Sequence, residues 1–407
     1  MTLSASDPWP PLAGYDLGAQ DGSSFGTLEK EILPAAQDSA SILDIWLIPA
    51  IYLPYGSGGH SELEDLRYSA YGRSFRSNHT FIENIDVSDP FNDGVPLISV
   101  PWPLWSSMRF SGLRNTYGEQ LGVTYSLARP MTPGFSGSIE SSFIDETGGP
   151  TLIPPHTLDG EPGTVRGATL NRREIARNYY FGGLARYCGE HYCLWFSSDY
   201  QKLDRTFITH DNLDAGQRLR LATGLEAQKS GYKISLRFLY EMTERSDYGG
   251  EYRLTELDLA SQKAHAFHGQ FNLLKGRMAL QFGYTERLET ITPHSLLERL
   301  EISDLRAGGS MQPKYGEAKR GLFQLNLNYL GKHHRFYNTV LIDGVYYTPA
   351  VRERLYTYLG QSQWRETAGA SPTLYHHRYR LRTWYNYKRS FKKLKLDGVF
   401  GLLAQHT

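Results

Sequence analysis

The sequence predicts a mainly β protein: an antiparallel transmembrane β-barrel, about eleven strands of it present as part of a larger barrel, behind a small N-terminal α+β domain. Three observations carry this expectation. Between Thr373 and Gln405 the odd positions Tyr375, His377, Tyr379, Leu381, Thr383, Tyr385 and Tyr387 alternate with His376, Arg378, Arg380, Arg382, Trp384, Asn386 and Lys388. A strand points successive side chains to opposite faces, so one face is aromatic and the other basic. A soluble sandwich would strand those charges, whereas a membrane barrel gives the aromatics lipid and the arginines a wet interior. The second observation is that the pattern repeats along the chain. The third is an alternation of short turns with long connections.

Composition sets the bounds. The chain has 407 residues with 43 basic and 43 acidic side chains, a balance that gives no footprint for nucleic acid. Its 28 Tyr, 18 Phe, 7 Trp and 40 Gly suit twisted sheets and interfacial aromatic girdles. No apolar run is long enough for a helical span, and a negative mean hydropathy is compatible with a barrel, because half of each barrel strand is polar. Met1 to Gly22 has neither the basic start nor the apolar core of an export signal, as expected of a mature product or of a chain whose N-terminus is missing. Cys188 and Cys193 flank a tight turn; pairing suits an oxidising compartment such as the periplasm, and two free thiols are the alternative.

In chain order, residues 1–30 are rich in Ser, Gly, Pro and Asp and read as a flexible lead-in. Ile42, Ile45 and Trp46 fall at helical spacing before Pro49. Residues 31–130 form a compact, irregular domain without long alternation. From residue 131 to 407 alternation dominates, first at Phe135, Gly137, Ile139, Ser141 and Phe143. The cleanest segment sets Tyr232, Ile234, Leu236, Phe238, Tyr240 and Met242 against Lys233, Ser235, Arg237, Leu239, Glu241 and Thr243. Short turns are expected at Gly189–Tyr192, Lys229–Gly231, Lys275–Arg277, Gly331–His334 and Lys388–Lys392. Long connections are expected at 146–170, 205–216, 246–261, 290–319 and 348–372. Each strand is expected to need roughly 9–11 residues to cross a bilayer. The final strand, Leu394 to Gln405, makes an odd count and lacks an aromatic end, which predicts further strands beyond the given chain, a missed or split strand being the alternative.

The order of features at 37–125 resembles the plug domain of TonB-dependent outer-membrane receptors. Ser39-Ala-Ser-Ile-Leu-Asp-Ile-Trp46 before Pro49 is similar to that family's helix and proline. Arg67-Tyr-Ser-Ala-Tyr-Gly-Arg73 resembles the strand with an Arg-Gly pair, here Gly72-Arg73. Phe81-Ile-Glu-Asn-Ile-Asp86 and Asn92-Asp-Gly-Val-Pro96 resemble the following strand and turn, and Tyr117-Gly-Glu-Gln-Leu-Gly-Val-Thr-Tyr125 the closing strand. The resemblance makes Gly72, Arg73, Asp86, Asp89, Gly94, Gly118 and Gly122 the plug positions. It implies outer-membrane lipid, a TonB-type energy-coupling protein and a small-molecule, metal-chelate or glycan ligand as partners. It also implies ligand capture and energised uptake in the bacterial outer membrane. The family's coupling segment is not recognisable near the N-terminus. A non-transporting plugged barrel, acting as surface receptor or assembly partner, and a passive porin are the alternatives.

Arg218, Arg237, Arg378, Arg380 and Arg382 are expected to face the lumen. Asp86, Asp89 and Arg73 would pair with such lumen charges and hold plug to barrel, direct substrate contact being the alternative, and a basic lumen would favour anionic ligands. His333-His334 and His376-His377 cannot chelate from one strand, because neighbours point to opposite faces. Trp102-Pro-Leu-Trp105 is expected to pack rather than to stack on a ligand. No phosphate loop, metal spacing or nucleophile elbow is present, so no cofactor, metal site or enzyme activity is expected.

Overall fold

The computed structural model describes residues 24–29, 51–52, 69–70, 78–90, 96–104, 107–115, 118–127, 133–147, 164–165, 168–169, 173–207, 210–248, 260–293, 315–331, 334–349, 354–358, 364–368, 374–391 and 394–406. Among these, all regular structure is strand. The helix expected near Ile42 lies outside the described residues, as do Gly72, Arg73 and Gly94.

Two sheets organise the chain. The N-terminal sheet contains β1 (Ser24–Glu29), β2 (Asn78–Ile82), β3 (Ile85–Asp86), β4 (Ser107–Asn115) and β5 (Gly118–Ser126), in the order β1-β4-β5-β2-β3. Ser24–Glu29 lies within the stretch expected to be a flexible lead-in, yet it pairs with Ser107–Ser111. Backbone pairing at a sheet edge is indifferent to the polar composition that suggested flexibility. The strand expected at Tyr117–Tyr125 is β5, whereas its hairpin partner β4 was not expected, because that nine-residue strand lacks a clean two-residue period. Gly118 and Gly122 both lie in β5, opposite Asn115 and Ser111.

The second sheet has eleven strands: β6 (Gly134–Thr147), β7 (Arg173–Cys188), β8 (Tyr192–Phe207), β9 (His210–Lys229), β10 (Tyr232–Tyr248), β11 (Ala260–Lys275), β12 (Met278–Pro293), β13 (Tyr315–Leu330), β14 (His334–Pro349), β15 (Leu374–Phe391) and β16 (Leu394–His406). Each pairs antiparallel with its sequence neighbours, an up-and-down meander in which local hairpins build the whole wall. Its two faces follow the alternation. Ser235, Arg237, Leu239, Glu241 and Thr243 are buried on one side of β10, while Tyr232 and Phe238 are exposed on the other. The same holds at the C-terminal hairpin, where Tyr379 and Leu381 are exposed outward.

Two expectations about this wall need correction. Residues 205–216 are not a long connection: β8 reaches Phe207, β9 resumes at His210, and Arg205 pairs with Asp214. Charged side chains suggested a loop, but beyond the bilayer both faces of a ladder are wet and the backbone still pairs. For the same reason most strands run to 16 residues or more, past the length a bilayer requires. The last hairpin turns after Phe391, which pairs with Leu394, rather than at Lys388. The tight turn at Lys229 is closed by Ser230 at φ 50° and Gly231 at φ 79°, two successive left-handed residues as a twisted hairpin prefers.

Candidate functional site: the buried interface between the N-terminal sheet and the wall

The face of the wall that alternation keeps from lipid receives the β2–β3 hairpin and the segment after it. Fit comes first from shape. Ile85, fully buried, sits over Gly283 of β12, where a Cβ would lie 2.3 Å from Ile85 Cγ2. The glycine is thus a socket for an isoleucine knob. Beside it Leu97 packs with Leu322 and Leu341 in the apolar part of the contact.

Polar contacts then fix the register. Gln324 Oε1 accepts the Asp86 backbone N–H at 2.8 Å, and its amide nitrogen donates to the Asn84 carbonyl at 3.1 Å, so one side chain clasps the hairpin turn. Glu83, in the left-handed region at φ 57°, aims its carboxylate at Arg237 on β10, 3.3 Å away. Arg237 also holds Glu226 at 2.9 Å. The same Glu83 oxygen accepts the Leu127 N–H at 2.8 Å, joining the hairpin to the exit of β5. Asp89 pairs with Arg320 on β13, which also meets Glu289.

Farther along, the wall supplies the carboxylates. Asp199 accepts the Trp102 N–H at 2.7 Å while held by Nε and Nη2 of Arg220, at 2.7 and 2.8 Å. Glu241 accepts the Ser99 N–H at 2.8 Å and lies between Arg218 and Arg287, at 3.7 and 3.6 Å. Arg287 also donates to the Leu97 carbonyl at 3.3 Å. These groups are buried, Glu83 and Arg220 nearly so, and each charge depends on its partner for what water would have supplied.

The residues singled out from sequence are thus redistributed. Arg218 and Arg237 are buried on the inner face. Arg378 and Arg380 meet Asp343 of the adjacent strand, at 3.0 and 2.8 Å, rather than the N-terminal sheet. Arg382 lies on β15 with its side chain outside the described residues. Asp89 takes Arg320, which was not singled out. Asp86 takes no wall arginine: its carboxylate accepts from Ser88 N and Oγ and meets His79 at 3.2 Å. Burial alone would raise the Asp86 pKa, but His79 and the Ser88 bonds outweigh it and bring it down to about 2. Cys188 and Cys193 are joined in a disulfide at the last pair of the β7–β8 hairpin. Trp102 is buried. The basic interior expected from the arginines is answered by Asp199, Glu226, Glu241, Glu289 and Asp343, so field focusing on anions loses its footing. Glu83, Arg220, Arg287 and Arg320 had not been singled out. The alternation rule places Arg220 on the inward face of β9 beside Arg218, and that signal was available.

No protein-family model and no curated protein matches this chain. Solved structures do. The copper transporter OprC superposes with a TM-score of 0.51 at 10% identity, over 93% of this chain. The fold is that of a TonB-dependent outer-membrane receptor. The chain spans 64% of the OprC chain. The Escherichia coli outer-membrane transporter YddB matches at TM-score 0.49 and 8% identity, over 84% of this chain and 50% of its own. The siderophore receptor PirA from Acinetobacter baumannii matches at 0.47 and 11%, over 100% and 72%. At such identities this receptor likeness is one of fold.

Proposed function

We propose that the chain is an outer-membrane receptor and transporter of the TonB-dependent kind, with residues 31–130 as its plug. The observation that carries this reading is the buried polar interface: an N-terminal unit docked on the inner face of a membrane-type wall through Glu83–Arg237 and Asp89–Arg320. A unit held in this way occludes the interior until it is displaced. Displacement needs work, and a TonB-type energy-coupling protein is the source that the fold suggests. The cargo is a small molecule, metal chelate or glycan. OprC is described as a copper transporter and PirA as a siderophore receptor, which makes metal and metal-chelate cargo the first to try.

The test is accumulation of radiolabelled cupric and ferric chelates and of labelled oligosaccharides by cells expressing the chain, with and without the energy-coupling protein. Accumulation that needs the coupling protein is expected. Uptake independent of it, or steady open conductance of the intact chain in planar bilayers, would overturn the reading in favour of a passive pore.

A further inference from the structure

On the outer face, at the turn end of the wall, one cross-strand row runs unbroken through the ladders. Lys229 pairs with Tyr232, Tyr232 with Lys275, Lys275 with Met278, Met278 with Tyr329, and Tyr329 with Phe336. Tyr232, Met278, Tyr329 and Phe336 are exposed large side chains on the face opposite the buried polar one, as a lipid-facing belt requires. The first part of this belt is cationic. Lys275 Nζ lies 4.6 Å from the centre of the Tyr232 ring, and Lys229 flanks Tyr232 on its other side. Arg277, exposed in the adjoining two-residue turn, adds a third positive charge. Lys229 and Lys275 stand two strand spacings apart, about 10 Å, which their flexible stems easily span. Among the described residues of the turns 189–191, 230–231 and 276–277, the acidic side chain is Glu190, one hairpin away.

We propose that Lys229, Lys275 and Arg277, set around Tyr232, form a binding site for the phosphate headgroup of an anionic lipid in the leaflet that meets the short turns. Three features favour a lipid over a soluble acidic partner. The cations belong to the same pairing row as Met278, Tyr329 and Phe336, so they sit at the depth where lipid-facing aromatics end and headgroups begin. A lysine at that depth keeps its stem against apolar surface and its ammonium at the phosphates. The Tyr232 ring, already under one ammonium, offers its apolar edge to the glycerol and upper acyl region. The proposal rests on the wall being a membrane barrel and is independent of transport.

The test uses the full chain in nanodiscs of phosphatidylcholine with a minor fraction of phosphatidylglycerol. Lipids retained after mild detergent extraction are counted by native mass spectrometry. Phosphatidylglycerol should be enriched among them over its share of the bilayer. Lys229→Gln, Lys275→Gln and Arg277→Gln should each reduce the enrichment about 5-fold, the usual weight of one cation at an anionic membrane surface. The charge-conserving set Lys229→Arg, Lys275→Arg and Arg277→Lys should retain it. Unchanged enrichment in the combined Gln variant overturns the proposal. So does full competition by millimolar glycerol phosphate, which would mark a site for phosphate alone. A chain that fails to enter neutral bilayers at all refutes the barrel reading, a distinct result from insertion without lipid preference.

Discussion

Arg237 is the sharpest place to test how the N-terminal sheet is held. It lies buried between Glu83 on the β2–β3 hairpin and Glu226 on its own wall. Arg237→Leu leaves two carboxylates sharing a dry site with no cation between them. Removing one partner of a buried ion pair costs about 3–5 kcal/mol, because the group left behind has lost its solvation. That loss falls on the docked state: on separation Glu83 returns to water. The opening constant of the hairpin should therefore rise about 150-fold to several thousand-fold. Amide hydrogen exchange read by mass spectrometry on peptides covering 78–90 measures that opening directly. Glu83→Gln should cost less, since Arg237 keeps Glu226 and the Gln oxygen can still accept the Leu127 N–H. The double variant should fall short of the sum, because both changes break one contact. Lys263→Ala is the control. Its pair with Glu244 is exposed, worth under about 1 kcal/mol, and should leave 78–90 unchanged. Exchange in 78–90 that rises less than about 3-fold in Arg237→Leu would refute the reasoning, because Glu83 would then not depend on Arg237.

Gly283→Ala sets a methyl against Ile85 and should loosen the hairpin by about 1–3 kcal/mol, again read by exchange in 78–90; pairing it with Ile85→Ala, which removes the γ carbons the methyl meets, should cost less than the two changes summed. The Asp86 carboxyl, lowered to about 2 from the ordinary aspartate value of 3.8, contributes stability that is full above about pH 4 and is lost as pH falls through 2. The loss is of order 2 kcal/mol, so exchange in 78–90 should accelerate over that window beyond its intrinsic pH dependence, and Asp86→Asn should flatten the effect. Combining Glu83→Gln, Arg237→Leu and Glu226→Leu replaces the buried charges with two apolar side chains and a neutral amide that still accepts the Leu127 N–H. Docking should return to at least its original strength, while labelled-chelate uptake, measured on the same cells, should fall.

The wall was legible because its information is local. A two-residue period such as Tyr232 to Met242 against Lys233 to Thr243 needs no knowledge of the partner strand, and a meander places neighbours in sequence beside one another in space. Strand ends were less legible. Outside the bilayer neither face must be apolar, so the period that announces a strand fades while its ladder continues, as from Arg205 to Gly216. That fading also hid Arg320. Its strand begins at Tyr315, inside a stretch expected to be loop, and the side chain that takes Asp89 stands one residue past that stretch, ahead of the alternation that starts at Phe323. Pair choice was not legible at all. Whether Asp89 meets Arg320 or Arg378 depends on how an entire sheet sits against another, and nothing local encodes that. Arg378 and Arg380 turned instead to Asp343, one strand away.

The character of the interface bears on the proposed transport. The N-terminal unit buries Ile82, Ile85, Leu97, Ile98 and Leu104, but much of its hold on the wall consists of ion pairs and of side chains bonded to backbone, as Gln324, Asp199 and Glu241 show. An apolar contact of equal area would be harder to open, since every Å² exposed costs about 25 cal/mol and nothing in water repays it. A buried ion pair behaves differently. Its net contribution is small because desolvation has already consumed most of the attraction, and once separated both partners are rehydrated. Register is therefore enforced strongly while separation stays shallow. Such an interface holds one docked arrangement against near alternatives, because a slip of one residue along β10 or β13 would carry Glu83 or Asp89 away from its arginine, while Arg237 and Arg320 kept only Glu226 and Glu289. It also yields to a pull that lets water follow the parting surfaces. A plug that must be seated between transport events and displaced during them requires that combination, and the placement of Glu83 in the β2–β3 turn and Asp89 three residues after β3 concentrates it where a single segment, once moved, releases both.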